Sequence, residues 1–253
     1  MFGLKNHSGS CWINACLQGL FRIPELQKKF TLNEIDVNNK LEVSLQKIWL
    51  SKGKDGLKEL FENVKNVHLP MGQGIGDSHE LLIYILDKIN WLENLCKLNT
   101  IDKIKCTNCD YVSEKIDTKV ELSLFPEKVG QTISECISKE VQEFIAEDSK
   151  CEKCNKNYKK QTIITSFPKV LILHVYTDSE KRSEYCSNLI INSRKYILIS
   201  VLSHNGSHWW SYGRNQQGQP WYTLDDTRVT EHKSNEFPLS HTMRVLIYYQ
   251  IDE

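Results

Sequence analysis

Two Cys-x-x-Cys turns, Cys106-Thr-Asn-Cys109 and Cys151-Glu-Lys-Cys154, stand on either side of a long intervening segment. Two residues between ligands let both thiolates of a turn face one ion, and a second such turn completes a tetrahedral shell of four sulfurs, for which Zn²⁺ is the usual occupant. Four ordinary reduced thiols and a thioredoxin-type redox pair are the other readings, and a redox pair has no need of a second copy. The expectation is one structural Zn²⁺ per chain on Cys106, Cys109, Cys151 and Cys154, with no open position for water. Lys150, Lys153, Lys156, Lys159 and Lys160 surround these turns as a solvated flank.

Cys11 follows the Gly/Ser-rich run HSGS and opens a helical pattern. A thiol at a helix N-terminus feels the positive end of the macrodipole and is expected to ionise below its ordinary value of ~8.5. Cys16 falls on the apolar face of the same helix, and Cys96, Cys136 and Cys186 lack any base-bearing context. A thiolate nucleophile requires an imidazole base and a group that holds the imidazole in its productive tautomer. His208 begins a strand, and the next strand runs Trp221-Tyr222-Thr223-Leu224 into Asp225 and Asp226. A hairpin at NQQGQ brings His208 beside Asp225, which makes a papain-like layout of thiol, imidazole and carboxylate.

These residues carry a resemblance to ubiquitin-specific proteases. GLKNHSGSCWINACLQGL resembles the cysteine box of that family, GDSHELLIYILD its second box, FPKVLILH its strand after the zinc fingers, and SHNGSHWWSYGR with WYTLDDTRVT its histidine box. The matches run in family order from residue 3 to about residue 231. The resemblance implies a papain-like α+β fold with a helical thumb, zinc-bearing β fingers and a β palm. It implies that Cys11 is the nucleophile, His208 the general base, Asp225 the orienting acid and Asn6 an oxyanion donor alongside the Cys11 N–H. Asp226 then joins the transition-state network or substitutes for its neighbour, and Trp209 either walls the substrate channel or fills the core.

The implied activity is hydrolysis of the isopeptide or peptide bond after the C-terminal Gly-Gly of ubiquitin. The alternatives are an isopeptidase for another modifier, of the SUMO or interferon-induced type, and a catalytically weak ubiquitin-binding pseudoenzyme. The chain departs from the family pattern at Ser8-Gly9-Ser10 before the thiol, at Trp12, at Ile75 and Gly76, and at VYTDSEKR after the third motif.

The elements that must position these residues are legible in hydrophobic period. Up to about residue 98 apolar residues recur at steps of three and four, which predicts four helices: one after Cys11 that stops near Pro24, one through Leu41–Trp49, one through Leu57–Val64 and one through Leu81–Leu92. Asp77 with Glu80 reads as the N-cap of the last. From about residue 103 alternation with period two predicts strands, interrupted by one helix over 132–146. One catalytic domain, 1–253, is expected, with thumb 1–100, fingers 101–170 and palm 171–253.

Of the 253 residues, 32 are Lys or Arg and 32 are Asp or Glu, so no global positive field gathers nucleic acid. No apolar run is long enough to span a bilayer, and MFGLKNHSGS lacks the form of an export signal. The nine cysteines, an odd number, are not expected to form a disulfide framework. A monomer acting on ubiquitin or a ubiquitin-like modifier inside the cell, in cytoplasm or nucleus, with neither nucleic acid nor membrane as partner, is the expectation.

Overall fold

The computed structural model describes residues 1–65, 76–176, 183–233 and 242–251. Ile75 and most of VYTDSEKR lie outside the described residues. Among the described residues the helices are α1 (Cys11–Leu20), α2 (Pro24–Leu32), α3 (Lys40–Leu50), α4 (Leu57–Lys65), α5 (Ser78–Lys88), α6 (Asn90–Cys96) and α7 (Ile133–Glu140). The strands are β1 (Leu98–Cys106), β2 (Val112–Lys119), β3 (Leu122–Leu124), β4 (Gln131–Thr132), β5 (Phe144–Lys150), β6 (Asn157–Ser166) and β7 (Val170–Val175). After them come β8 (Ser183–Glu184), β9 (Asn188–Ile191), β10 (Arg194–His204), β11 (Trp209–Gly213), β12 (Tyr222–Asp225), β13 (Arg228–Glu231) and β14 (Met243–Ile251). The class is α+β, as expected.

Six helices precede β1 where four were predicted. The first helix stops at Leu20, short of Pro24 as expected, and Pro24 in addition opens α2 from its first turn, where its missing N–H costs nothing. The Leu81–Leu92 stripe is broken at Ile89, whose φ of −124° and ψ of 86° separate α5 from α6. Asp77 caps α5 as expected, its carboxylate accepting from the N–H of His79 and of Glu80. The helix predicted over 132–146 stops at Glu140. Its capping box, Thr132 with Glu135, starts α7 cleanly, but Phe144 and Ile145 belong to β5, where the ladder to β6 claims their backbones.

Among the described residues two main sheets and a two-stranded parallel one, β4 with β8, take up the strands. The order β2-β1-β6-β5 forms a four-stranded antiparallel sheet, and β13-β12-β11-β10-β14-β7-β3 forms the larger one, with β9 paired to β10. Every neighbour in the larger sheet is antiparallel except β3 on β7. The main apolar core joins α1 to α6 with inward residues of β7, β10 and β14, and a second cluster lies on the other side of the sheet against α7. At the tip of the small sheet the apolar cluster among the described residues is small, Cys106, Cys151 and Tyr158 with four partly buried neighbours.

A polar tether fixes the N-terminus of α5 to the large sheet. His79 stacks on His174 of β7 at 3.6 Å, and its Nε2 lies 2.5 Å from a Glu121 carboxylate oxygen. Burial pulls the His174 imidazole down to about 4, with His79 and Arg244 acting the same way and Glu121 and Asp77 opposing. An unfolded histidine titrates near ~6.5, so between ~6.5 and about 4 the unfolded chain takes up a proton that folded His174 refuses. The stability contributed by neutral His174 is therefore complete above that window and is lost as pH falls through it. The melting temperature should decline more steeply from pH ~6.5 to ~4 in the wild type than in His174→Gln; parallel curves would remove this assignment.

Candidate active site

The N-terminal loop folds onto one amide. Asn6 Oδ1 accepts from the N–H of Gly9 and of Ser10, both at 3.0 Å, and Ser10 Oγ accepts from the His7 N–H at 2.7 Å. Ser8 and Gly9 take positive φ values of 51° and 93° to close this turn, so the glycine serves a left-handed position. Cys11 follows as the first residue of α1. No side chain caps this helix, and all ten of its residues are buried.

The thiol does not have the low pKa expected of a helix N-terminus. Burial pushes it up; the Trp209 N–H opposes this, the Asp226 carboxylate adds to it, and the N–H groups of Trp12 and Cys11 again oppose. Desolvation disfavours the thiolate more than the local dipoles favour it. The neighbouring peptide matters here, because Trp209 directly follows His208.

The hairpin β11–β12 pairs Ser211 with Leu224 and Gly213 with Tyr222, which returns the end of β12 to the start of β11. His208 Nε2 lies 2.6 Å from Asp225 Oδ1. A carboxylate only accepts, so Nε2 carries the hydrogen and Nδ1 keeps its lone pair when the ring is neutral. Asn205 Oδ1 accepts from the N–H of Ser207 and of His208 and so shapes the turn that presents the ring. The pair is about one-third exposed, 34% for His208 and 41% for Asp225, which leaves the imidazole accessible from solvent.

The two aspartates have different partners. Asp225 takes His208, whereas Asp226, in the left-handed region at φ 51°, accepts from Asn6 Nδ2 at 2.8 Å through Oδ2 and from Asn14 Nδ2 at 2.6 Å through Oδ1. Its backbone carbonyl also accepts the Leu4 N–H at 2.8 Å. Asn14 was not singled out from the sequence; its signal is that it is one of two buried amides, with Gln18, in a helix otherwise apolar. Trp209 is 3% exposed and stacks on His204 at 4.4 Å, which makes it a core residue. The second box reaches the site through Trp12: Ser78 Oγ donates to the Trp12 carbonyl at 2.7 Å, and a Cβ on Gly76 would lie 2.6 Å from the indole.

At the far end of the small sheet the four cysteines of the two turns converge, with all four sulfurs within 4.8 Å of one another. Cys106 and Cys154 are 3.4 Å apart and Cys109 and Cys151 are 3.7 Å apart, too long for disulfides. A tetrahedron with metal–sulfur bonds of ~2.3 Å has edges of about 3.8 Å, so this donor set has the size of a metal-ligating shell. Each knuckle is closed by its backbone, the Cys106 N–H donating to the Tyr111 carbonyl and the Cys151 N–H to that of Lys156.

A sequence model of the family described as "Ubiquitin carboxyl-terminal hydrolase" matches residues 2–248. Ubiquitin carboxyl-terminal hydrolase 2 of Bos taurus is 24% identical over 98% of this chain and 55% of its own length, and the Homo sapiens protein of the same name matches equally. Ubiquitin carboxyl-terminal hydrolase 23 of Arabidopsis thaliana is 28% identical over 51% of this chain and 18% of its own. The chain spans about half the length of the mammalian relatives it matches end to end. Among solved structures, a SAGA DUB module of Ubp8, Sgf11, Sus1 and Sgf73 bound to monoubiquitin has a chain that superposes with a TM-score of 0.81. That likeness covers 100% of this chain and 69% of the other at 19% identity, and it shows the fold.

The raised thiol has a direct consequence for the free protein. Labelling of Cys11 by iodoacetamide, followed by mass spectrometry, should keep accelerating through and beyond the ordinary cysteine range near ~9. A rate that reaches its plateau below pH ~7 would mean that the thiolate forms at rest.

Proposed function

Since the chain belongs to the ubiquitin carboxyl-terminal hydrolase family, we propose that it is a thiol-dependent deubiquitinase cutting the isopeptide or peptide bond after the C-terminal Gly-Gly of ubiquitin. The observation that carries this reading is the 2.6 Å hydrogen bond from His208 to Asp225, with the peptide after His208 lying against the Cys11 thiol. It fixes the tautomer in which Nδ1 is the free base.

The steps follow from the groups in place. Cys11 keeps its proton until the substrate carbonyl is seated; Nδ1 of His208 then takes that proton as sulfur attacks the carbonyl carbon. Negative charge grows on the carbonyl oxygen, where the unused N–H of Asn6 and the Cys11 N–H receive it. The imidazolium, stabilised by Asp225, returns the proton to the departing lysine or α-amine, leaving a thioester on Cys11. Water activated by the same Nδ1 then releases the ubiquitin carboxylate.

We assign the four-cysteine cluster to one structural Zn²⁺, supported by the donor spacing and the four-thiolate set. When bound it cross-links two strand tips whose own apolar cluster is small. The whole chain acts as one catalytic domain with thumb 1–100, fingers 101–170 and palm 171–253, and a monomer carries every group the reaction uses. Its substrates are ubiquitin conjugates, so its work lies inside the cell, in cytoplasm or nucleus.

Two measurements test this. Purified protein should hydrolyse a ubiquitin C-terminal fluorogenic amide and a lysine-linked diubiquitin. Cys11→Ala should abolish turnover, and His208→Ala should cost more than Asp225→Ala, because the base moves the proton whereas the acid only orients it. Binding of ubiquitin without turnover in the wild type would make the chain a binding module instead. Elemental analysis should find one zinc per chain, and a strong chelator or Cys106→Ser should lower the melting temperature; metal-free protein with an unchanged melt would refute the zinc assignment.

A further inference from the structure

Asn14 sits one turn into α1, three residues after the thiol, and is 2% exposed. Its Nδ2 faces two acceptors, Asp226 Oδ1 at 2.6 Å and the Leu4 carbonyl at 3.4 Å, so its amide orientation is forced by chemistry. Its Oδ1 is buried with no hydrogen-bond partner. An amide whose oxygen goes unsatisfied, as that of Gln18 also does in this helix, is a costly choice over leucine or methionine, and at Asn14 the donor end gives a reason for it.

That donor end acts on a chain of bonds leading to the reacting carbonyl. The Asp226 carboxylate is shared, Oδ1 taking Asn14 and Oδ2 taking Asn6. Asn6 in turn has both lone-pair directions of Oδ1 filled by the N–H of Gly9 and of Ser10. One of its two Nδ2 hydrogens goes to Asp226, which leaves one to offer a substrate. Rotation of the Asn6 amide is thus locked at one end by the loop and at the other by a carboxylate that Asn14 holds. The Asp226 backbone is fixed as well, through its left-handed turn and the Leu4 N–H.

We propose that Asn14 is a positioning residue for oxyanion stabilisation: it clamps Asp226, and Asp226 aims the remaining N–H of Asn6 at the developing negative charge. This rests on Cys11 being the nucleophile and Asn6 its oxyanion donor, and it adds a buried residue that never touches substrate. It also gives the second aspartate a task separate from that of Asp225. Preorganised donors matter most when nothing has to reorient during the reaction, and groups that hold such donors commonly account for 10-fold to 100-fold in activity.

The test is a double-mutant cycle on hydrolysis of the ubiquitin fluorogenic amide. Asn6→Ala should lower kcat by roughly 10²-fold or more. Asn14→Ala should lower kcat by roughly 10-fold to 100-fold with KM little changed. The double variant should be no slower than Asn6→Ala alone, because Asn14 acts only through Asn6. Iodoacetamide labelling of Cys11, a reaction that forms no oxyanion, should proceed at the wild-type rate in Asn14→Ala. Losses that multiply in the double variant, or a matching loss in labelling, would overturn the proposal by making Asn14 a plain packing residue. Asn14→Ser is the alternative if the alanine variant does not fold. Should the wild type turn over no ubiquitin substrate, the functional reading fails on that result, and the ¹⁵N resonance of the Asn6 side-chain amide still decides the clamp. A shift between wild type and Asn14→Ala supports it, and an unmoved resonance overturns it.

Discussion

The complete burial of α1 is the constraint on which the rest of the molecule depends. All ten residues from Cys11 to Leu20 are enclosed, with α5 on one side and β10, β11 and β12 on the other. A helix locked on every side cannot slide or turn without opening the core, so its N-terminus holds a fixed position relative to the hairpin that carries His208. The fit is close: a Cβ on Gly19 would lie 2.7 Å from a methyl of Leu202, and one on Gly213 would lie 2.9 Å from the buried Arg22 side chain. The same enclosure raises the Cys11 thiol, so packing that positions the nucleophile also keeps it protonated at rest.

Polar atoms buried with α1 convert this packing into a site. The turn after β12 places consecutive aspartates on opposite duties, one on the imidazole and one on two asparagines. The segment before α1 is drawn against that turn, where Gly3 lies so close that a Cβ would meet the Thr227 carbonyl oxygen at 2.4 Å. Chain start, first helix and last hairpin therefore meet at a single carboxylate. At the tip of the small sheet the four sulfurs of the Cys-x-x-Cys turns lie together where the apolar cluster is small.

What was legible in the sequence followed from how narrowly each function limits residue choice. Metal ligation demands thiols at short spacing, so the Cys106/Cys109 and Cys151/Cys154 set was visible before any fold was known. The turn at NQQGQ makes β11 and β12 neighbours and thereby brings His208 to Asp225. Helix boundaries were less accessible, because Pro24 serves equally as a stop or as a first-turn residue. Phe144 and Ile145 keep a helical period with Ile137 and Val141, yet they are 58% and 54% exposed on a strand whose ladder to β6 outweighs the local pattern. Asn14 stayed hidden because its role depends on residues more than two hundred positions away, and the thiol's raised pKa depends on burial that no spacing reveals.

The central claim is that Cys11, alone among nine cysteines, is poised to attack the carbonyl at the end of ubiquitin. It is tested most directly by reacting the wild-type protein with ubiquitin bearing a C-terminal propargylamide and mapping the adduct by peptide mass spectrometry. A single adduct on Cys11, formed while the four cysteines of the small sheet stay unlabelled, is the expected result. An adduct on Cys16, Cys186 or a knuckle cysteine, or no adduct at all from folded protein, would contradict it.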